Sequence, residues 1–333
     1  MKDPGARLQW LRWAVPAGMC LIVFALAFTA PHFFTAQNLR NVGTQVPVNL
    51  ILAAGMTLVI LTGGIDLSVG SVHALCGITA ALVLTRLAPE LGGATVPAAI
   101  AASLLVGALL GAFNGSAIGW IGIPPFIATL AMMSVARGLA KHLTNGIAIG
   151  IVGPDVTGWE AINRHWLELR PLGLGFVNGV VPVSFLLACA VLGALALLLR
   201  KTRPGRRIYA VGGSEGASHL SGVPVARTKL LVYTLMGALA GLAGLVETAA
   251  QQSGSPIAGM GYELNAIAAV VVGGTRLSGG QGGMLGTFIG AVFIIGLMNN
   301  ALNLHNVSPF WQEIAKGAII FSVALVDRVA RRD

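Results

Sequence analysis

Ionisable side chains inside the apolar stretches are the residues of this sequence most able to do chemistry. Within a bilayer such groups usually belong to proton or sodium relays, because an isolated charge there is costly. The candidates are Asp66, His73, Arg137, Glu247, Glu263, Glu313 and Lys316. None lies clearly at the middle of an apolar run. Terminal caps, ion pairs and, for His73, a hydrogen-bonded structural role are therefore favoured over a relay.

Sequence motifs for enzymatic chemistry are absent. The chain contains no G-x-x-x-x-G-K-[ST] loop to hold ATP, no H-E-x-x-H, and no histidines with metal-ligand spacing. Cys20, Cys76 and Cys189 all lie in apolar runs, which is typical of small buried hydrophobes. We therefore expect neither an enzyme nor a cofactor bound by this chain.

A glycine-rich motif, G-G-x-x-L-S-x-G, occurs twice, at 63–70 and at 273–280. Each copy follows a short apolar segment and precedes a longer one. Glycine-interrupted segments at corresponding places in two halves point to a transport pathway, although glycine turns can also resemble one another by chance. The residues predicted to line a possible translocation path are Gly63, Gly64, Asp66, Ser68, Gly273, Gly274 and Ser278.

Other glycines recur every four residues, at Gly107, Gly111, Gly115 and Gly119, and again as Gly237 with Gly241 and Gly286 with Gly290. This spacing places them on one face of a helix. It predicts close helix packing, with a pore-lining role as the lesser alternative.

The elements that must position these residues are membrane spans. The chain of 333 residues is 55% hydrophobic and only 10% charged, whereas soluble domains carry about 25% charge. The net charge of +9 does not indicate nucleic-acid binding, because the basic residues flank apolar runs instead of forming one polar face.

Apolar runs near the length of a spanning helix predict an all-α polytopic membrane protein with about ten transmembrane helices. Two of the predicted helices, near 47–62 and 262–273, are short and broken by glycine pairs. The first run is predicted to be an uncleaved span and not a signal peptide, because it continues past the apparent cleavage site. The long runs are 12–30, 67–86, 95–114, 124–141, 181–199, 228–248, 284–302 and 309–327.

Basic residues predict the orientation of these spans. With the N-terminus inside, 14 of the 21 Lys and Arg residues fall on the cytoplasmic side, which places both termini in the cytoplasm. Residues 142–180 then form a periplasmic loop and 200–227 a cytoplasmic one. The whole chain, 1–333, is predicted to be a single transmembrane domain.

The cytoplasmic loop at 200–227 is the most informative polar segment. Arg200 to Arg207 can bind anionic lipid head groups. Ser214 to Leu220 can form a short helix with Ser214 as its N-cap. From the residues alone, a docking element for a partner and an ordinary connecting loop remain equally open.

Five segments together resemble ribose-type ABC transporter permeases, and the resemblance covers about Asn38 to Val326. The first two segments are M-T-L-V-I-L-T-G-G-I-D-L-S-V-G at 56–70 and P-P-F-I-A-T-L-A-M-M-S-V-A-R-G at 124–138. The others lie at 205–223, 261–280 and 299–312. Ser214 and Asn265 stand where members of this family often have Asn and Asp.

The resemblance implies an inner-membrane permease that transports a monosaccharide by alternating access. Its partners would be a second copy of the permease, a cytoplasmic ATP-binding subunit and a periplasmic sugar-binding protein, besides membrane lipid. ATP and Mg would be bound by the ATPase subunit. The residues in the position of the coupling region are Gly212, Gly213, Ser214, Glu215, Ser221 and Gly222. The alternative function is an ion-coupled secondary carrier for a small polar solute.

Overall fold

Helices account for most of the structure, a computed structural model that describes residues 18, 21, 24, 25, 27–151 and 168–329. The first helices are α1 Ala36–Leu61, α2 Val69–Arg86, α3 Ala88–Leu91, α4 Thr95–Ser116 and α5 Pro125–Thr144. A 3-10 turn, Gly92–Ala94, precedes α4, and a π-helical turn, Ala117–Ile121, follows it. Residues 168–174 are also helical.

The second half of the chain begins with α6 Val183–Lys201, α7 Arg203–Gly213, α8 Glu215–Leu220 and α9 Val225–Gln251. It continues with α10 Tyr262–Val272, α11 Met284–Gly290, the π-helical segment Ala291–Met298, α12 Asn299–Leu304 and α13 Pro309–Val329. Two antiparallel pairs of short strands link segments that lie between the helices. β1 Ile149–Gly150 pairs with β4 Ser253–Gly254, and β2 Phe176–Val177 with β3 Val181–Pro182.

Six helical segments in the described part of the chain are long and apolar enough to cross a membrane. They are Ala36–Leu61, Val69–Arg86, Gly92–Ile121, Val183–Lys201, Val225–Gln251 and Met284–Leu304. The prediction of an all-α polytopic membrane protein is confirmed at this level. The predicted run at 12–30, with Cys20, lies largely outside the described residues.

Helix α1 corrects one prediction, that of a short helix near 47–62. It runs unbroken from Ala36 to Leu61, with Pro47 inside it. The polar residues of its first turns can lie in a packed helix because their side-chain amide groups have hydrogen-bond partners. Asn38 and Asn300 of α12 exchange side-chain hydrogen bonds of 2.8 and 2.9 Å. The other short helix is confirmed, since α10 has 11 residues and is about 16 Å long at 1.5 Å per residue.

The two faces of helix α4 differ in side-chain size and burial, in a way that suits a membrane protein. Leu105, Leu109 and Phe113 are 59%, 59% and 66% exposed, which places large apolar side chains on the outside. Gly107 and Gly111 are buried on the other side, toward α9. Small residues inside and large apolar residues outside are the arrangement expected where lipid replaces water.

The glycine stripe of α4 packs directly on the backbone of α9. A Cβ atom at Gly107 would overlap the carbonyl oxygen of Gly237, and one at Gly237 would overlap that of Gly107. Gly286 and Gly290 of α11 lie in the same way against Gly273 and Ala269. The prediction of close helix packing is therefore confirmed.

The core of the molecule lies around α1, whose apolar window is 89% buried. It contacts α6, α9, α10, α11 and the π-helical segment, so a helix from the first half of the chain is packed among helices of the second half. Cys76 is buried and Cys189 is half-buried, both with free thiols, as expected of small hydrophobes.

Candidate functional site

Helices α1 and α10 end in the same capping arrangement, although their glycine pairs differ by one residue in register. After α1, Gly63 donates to the carbonyl of Ile60 and Gly64 to that of Val59, at 2.9 and 3.1 Å. After α10, Gly274 donates to Val271 at 2.9 Å, and Thr275 to Val270 at 3.1 Å. These bonds form Schellman caps, which need a left-handed residue. Gly63 and Gly274 supply it, with φ of 78° and 84°.

The two glycine-rich turns meet in space. The N–H of Gly280 donates to the carbonyl oxygen of Leu61 at 3.0 Å. Gly279, with φ of 85°, lies so close to Gly63 that an added Cβ would be 2.8 Å from the Gly63 nitrogen. Segments more than 200 residues apart are thus joined by direct backbone contact.

Helix α7 joins the same contact through its C-terminal end. A Cβ at Gly212 would overlap the carbonyl oxygen of Leu61 and lie 2.5 Å from the Gly280 nitrogen. We call Leu61, Gly63, Gly212, Gly279 and Gly280 the glycine junction.

A side chain of α7 also contacts the second turn. The Tyr209 hydroxyl donates to the Gly282 carbonyl at 2.9 Å. A tyrosine hydroxyl is protonated at neutral pH and can donate, and burial raises the pKa of Tyr209 further. The predicted coupling segment therefore begins at the point where the two turns meet.

Asp66 and Ser68, predicted to line a path, lie in a closed pocket of the fold. Both are buried, and the Asp66 carboxylate accepts from the Ser68 N–H at 2.8 Å and from its hydroxyl at 2.6 Å. Asn114 donates to the Ser68 hydroxyl at 3.1 Å. The space beside them is too small for a water molecule. In this conformation Asp66 holds Ser68, the residue just before α2, and faces no open passage.

The remaining predicted path residues are divided between packing and the surface. A Cβ at Gly64 would overlap the Tyr233 hydroxyl, and one at Gly273 the Gly286 carbonyl. Gly274 and Ser278 are exposed. The structure brings Gly63 and Ser278 together, since a Cβ on Gly63 would be 3.6 Å from the Ser278 carbonyl oxygen. A role for these residues in a path stays a prediction.

The predicted docking segment folds as a short helix, α8. The Ser214 hydroxyl caps it by accepting from the Ala217 N–H at 3.2 Å, as the sequence predicts. Ser221 and Gly222 end it, with Gly222 in the left-handed region at φ of 76°. Leu220, at its last position, is 91% exposed. A single exposed apolar side chain does not by itself mark an interface, so contact of this helix with a partner stays a prediction.

Glu215 is engaged within the chain. Both of its carboxylate oxygens accept from Lys229 of α9, at 2.7 and 2.8 Å. The Lys229 side chain is only 13% exposed, whereas that of Glu215 is 56% exposed. The pair holds α8 against the start of α9, a role that the sequence does not indicate.

Near the opposite end of α9, His73, Glu247 and Tyr262 form a polar cluster. His73 Nε2 lies 2.6 Å from Glu247 Oε2, and the Tyr262 hydroxyl donates to Glu247 Oε1 at 3.3 Å. The expected hydrogen-bonded His73 is confirmed. Its partner could not be found from the sequence, because 174 residues separate the two.

Arg137 lies near this cluster and is also occupied. Its Nη1 donates to the carbonyls of Pro256 and Ala258 at 2.7 and 2.8 Å. In the described part of the chain, no three or more His, Cys, Asp and Glu side chains are grouped to hold a metal. The Arg137 side chain thus fixes the backbone of the connection that follows α9.

The sequence profile of a family of permeases, described as the permease component of branched-chain amino acid transport systems, matches residues 38–324. The chain belongs to this permease family. The ribose import permease protein of Escherichia coli K12 is 45% identical over 313 residues, covering 92% of this chain and 91% of that protein. That of Bacillus subtilis 168 is 42% identical, covering 93% and 91%. The L-arabinose transport system permease protein of Escherichia coli K12 is 36% identical, covering 94% and 90%.

No solved structure matches this permease at a significant level. As a member of the permease family it is a transport subunit and not an enzyme, and it lies in the inner membrane as a multi-pass protein. The glycine junction and the His73–Glu247 cluster are therefore features of a transport protein, near opposite ends of α9.

Proposed function

We propose that this chain is the membrane-spanning permease subunit of an ATP-driven importer that carries a monosaccharide across the inner membrane. The observation that carries the proposal is the similarity to ribose and L-arabinose permeases, which extends over at least 90% of both chains. A pentose, with D-ribose first, is the proposed substrate. A branched-chain amino acid, the substrate in the family's description, is the competing candidate.

The partners in this proposal are a second copy of the permease, a cytoplasmic ATPase subunit and a periplasmic sugar-binding protein. ATP and Mg would be bound by the ATPase subunit. Helix α8 would contact it, with the exposed Leu220 as the central apolar residue. Burying a leucine side chain away from water contributes roughly 1.5–3 kcal/mol.

The glycine junction supplies a route by which docking could change the spans. Helix α7 is followed directly by α8, with Ser214 between them. Gly212 of α7 touches the ends of α1 and of the second glycine turn. Movement of α8 would therefore displace both turns together, and alternating access would follow from their rearrangement. Gly64, Asp66, Ser68, Gly273, Gly274 and Ser278 would line the path only in a more open conformation.

The proposed orientation places 200–227 in the cytoplasm, 142–180 in the periplasm and both termini inside, as the distribution of basic residues favours. Ten spans satisfy this orientation, since an even number returns the chain to the starting side. The described part of 142–180 supports an ordered loop through the strand pairs β1–β4 and β2–β3. Its residues 152–167, with Trp159 and Trp166, lie outside the described residues.

The test is uptake into proteoliposomes that hold the permease with its ATPase, with the binding protein outside. We expect D-ribose to accumulate only with ATP on the ATPase side. L-leucine uptake in its place would contradict the proposed substrate. Uptake by the permease alone, driven by a proton or sodium gradient, would favour the secondary carrier.

A further inference from the structure

A cavity of about 210 Å³ lies beside the His73–Glu247 cluster, between α2, α9 and the connection that follows α9. Its floor is made by Gly77 and Gly244, where α2 and α9 are in close contact, since a Cβ at Gly244 would overlap the His73 carbonyl oxygen. Ala74, Ile257 and Ala258 also line the wall, together with five polar side chains besides His73. The five polar side chains are Glu247, Thr248, Gln251, Ser253 and Ser255.

Glu247 is placed to accept further hydrogen bonds from a solute in this cavity. Oε2 is held by His73, and Oε1 by the Tyr262 hydroxyl. Each carboxylate oxygen can accept two hydrogen bonds, so each has capacity left. Two adjacent hydroxyl groups of a solute could therefore donate to the two oxygens.

The chemistry of the lining selects a neutral hydroxylated solute. A cation is the usual partner for the carboxylate of an amino acid, and no Lys or Arg is among the described residues that line the cavity. The Arg137 guanidinium donates to the carbonyls of Pro256 and Ala258. A hydroxyl group both donates and accepts, which matches a wall of one carboxylate, one amide and three hydroxyl side chains. The volume is below the roughly 300 Å³ at the lower end of drug-sized pockets, so one small ring fits and a longer chain of sugars does not.

The cavity lies far from the proposed docking helix. Lys229, which holds α8, and Glu247 are on the same helix, and their separation of 18 residues corresponds to about 27 Å. With α8 on the cytoplasmic side, the cavity is on the periplasmic side of the permease. A solute released from a binding protein would meet it first.

We propose that the cavity beside the His73–Glu247 cluster is a monosaccharide-binding site on the periplasmic side of the permease, with Glu247 and Gln251 as its hydrogen-bonding residues. The proposal rests on the proposed function. Binding there is expected to be weak, because a transported solute must leave a site as readily as it arrives.

The test is saturation-transfer NMR with D-ribose on the detergent-solubilised permease–ATPase complex, in the absence of the binding protein. We expect a saturable ribose signal and none from L-leucine. Glu247→Gln keeps the shape of the side chain and removes its charge. Gln251→Met removes the amide from an exposed side chain that makes no hydrogen bond to other described residues. Each variant should weaken ribose binding about tenfold or more, the effect of about one hydrogen bond to the solute.

The control is Gln37→Met, which makes the same change at an exposed position near the start of α1. It is the harsher change within the chain, because the Gln37 amide donates to Asn41 Oδ1 at 3.2 Å. It should bind ribose like the wild type. The Gln251→Met variant is the decisive one. Weaker ribose binding by this variant cannot be attributed to a broken hydrogen bond within the permease. Ribose binding that survives Gln251→Met, a leucine signal, or no saturable signal would overturn the site. ATP-driven ribose uptake, measured in parallel, tests the proposed function separately, since uptake with no site in this cavity leaves that function intact.

Discussion

The Gly280 N–H and the Leu61 carbonyl oxygen are joined by a 3.0 Å hydrogen bond, which links the end of α1 to the second glycine-rich turn. Leu61 is fully buried, so its carbonyl needs this partner. Gly212 of α7 packs against both groups that form this hydrogen bond. The glycine junction is thus a point at which three separate segments of the chain fix one another's position.

Gly212→Ala is expected to uncouple ATP hydrolysis from transport. The new methyl group would overlap the Leu61 carbonyl and force α7 away from the junction. The matched control is Gly213→Ala, since a Cβ at Gly213 meets nothing within 4 Å. Uptake and ATPase activity should be measured for both in the complete transporter. Equal behaviour of the two variants would show that contact at the junction is unimportant for coupling.

Glu215→Arg is expected to weaken the attachment of α8 to α9, because it places a second cation beside the nearly buried Lys229. The exchange Glu215→Lys with Lys229→Glu restores an opposite pair inside the chain while reversing the outward charge. We expect the exchange to recover ATPase association in a pull-down assay. Failure to recover would mean that Glu215 acts on the partner and not on Lys229.

Leu220→Asp is expected to reduce ATPase association by about tenfold or more, since it removes an apolar side chain proposed to be buried at the interface. Its folding should be unaffected, because the side chain is 91% exposed. Leu197→Asp, at a 63% exposed position of the apolar helix α6, is the contrasting change. That variant should fail at membrane insertion, whereas Leu220→Asp should insert normally. Normal ATPase binding by Leu220→Asp would mean that a different segment of the chain docks with the ATPase subunit.

Gly107→Ala is expected to destabilise the permease by about 1–3 kcal/mol, the usual cost of overpacking. The added methyl group would overlap the Gly237 carbonyl where α4 and α9 are in contact. Gly138→Ala in α5 is the control, because a Cβ there meets nothing within 4 Å. Thermal unfolding in detergent should separate the two variants. A Gly107→Ala protein as stable as the control would show that the interface can relax.

Single cysteines test the proposed orientation. In a background without Cys20, Cys76 and Cys189, cysteines at Ser214 and Val180 should react with an impermeant maleimide from opposite faces of the membrane. Ser214 and Val180 are both exposed, so access to the reagent is not the limiting factor. Labelling of both from one face would contradict the assignment of 142–180 and 200–227 to opposite sides.

The sequence predicted contacts that depend on local spacing. The glycines of α4 recur every four residues, and their face follows directly from helix geometry. The cap at Ser214 and the helix ends at the two glycine pairs are also local. Each depends on residues within about one turn of the helix end.

Contacts between distant segments could not be predicted in this way. His73 and Glu247 are each unremarkable in their own helix, and only the packing of α2 on α9 joins them. The length of α1 was missed for the same reason. Its polar start at Gln37–Asn41 resembles a loop until Asn300 is placed beside Asn38.

The one-residue offset between the two helix caps has a consequence for the ancestry of the chain. Aligning the repeated letters pairs Gly63 with Gly273, whereas the backbone pairs Gly63 with Gly274. If the halves descend from one duplicated gene, the alignment between them needs a gap next to this motif. The connections beyond the caps then diverged, since α2 begins at Val69 and α11 only at Met284. The longer connection is the one whose Gly280 and Gly282 contact α7, so the difference in length between the two halves lies where the second half packs on α7.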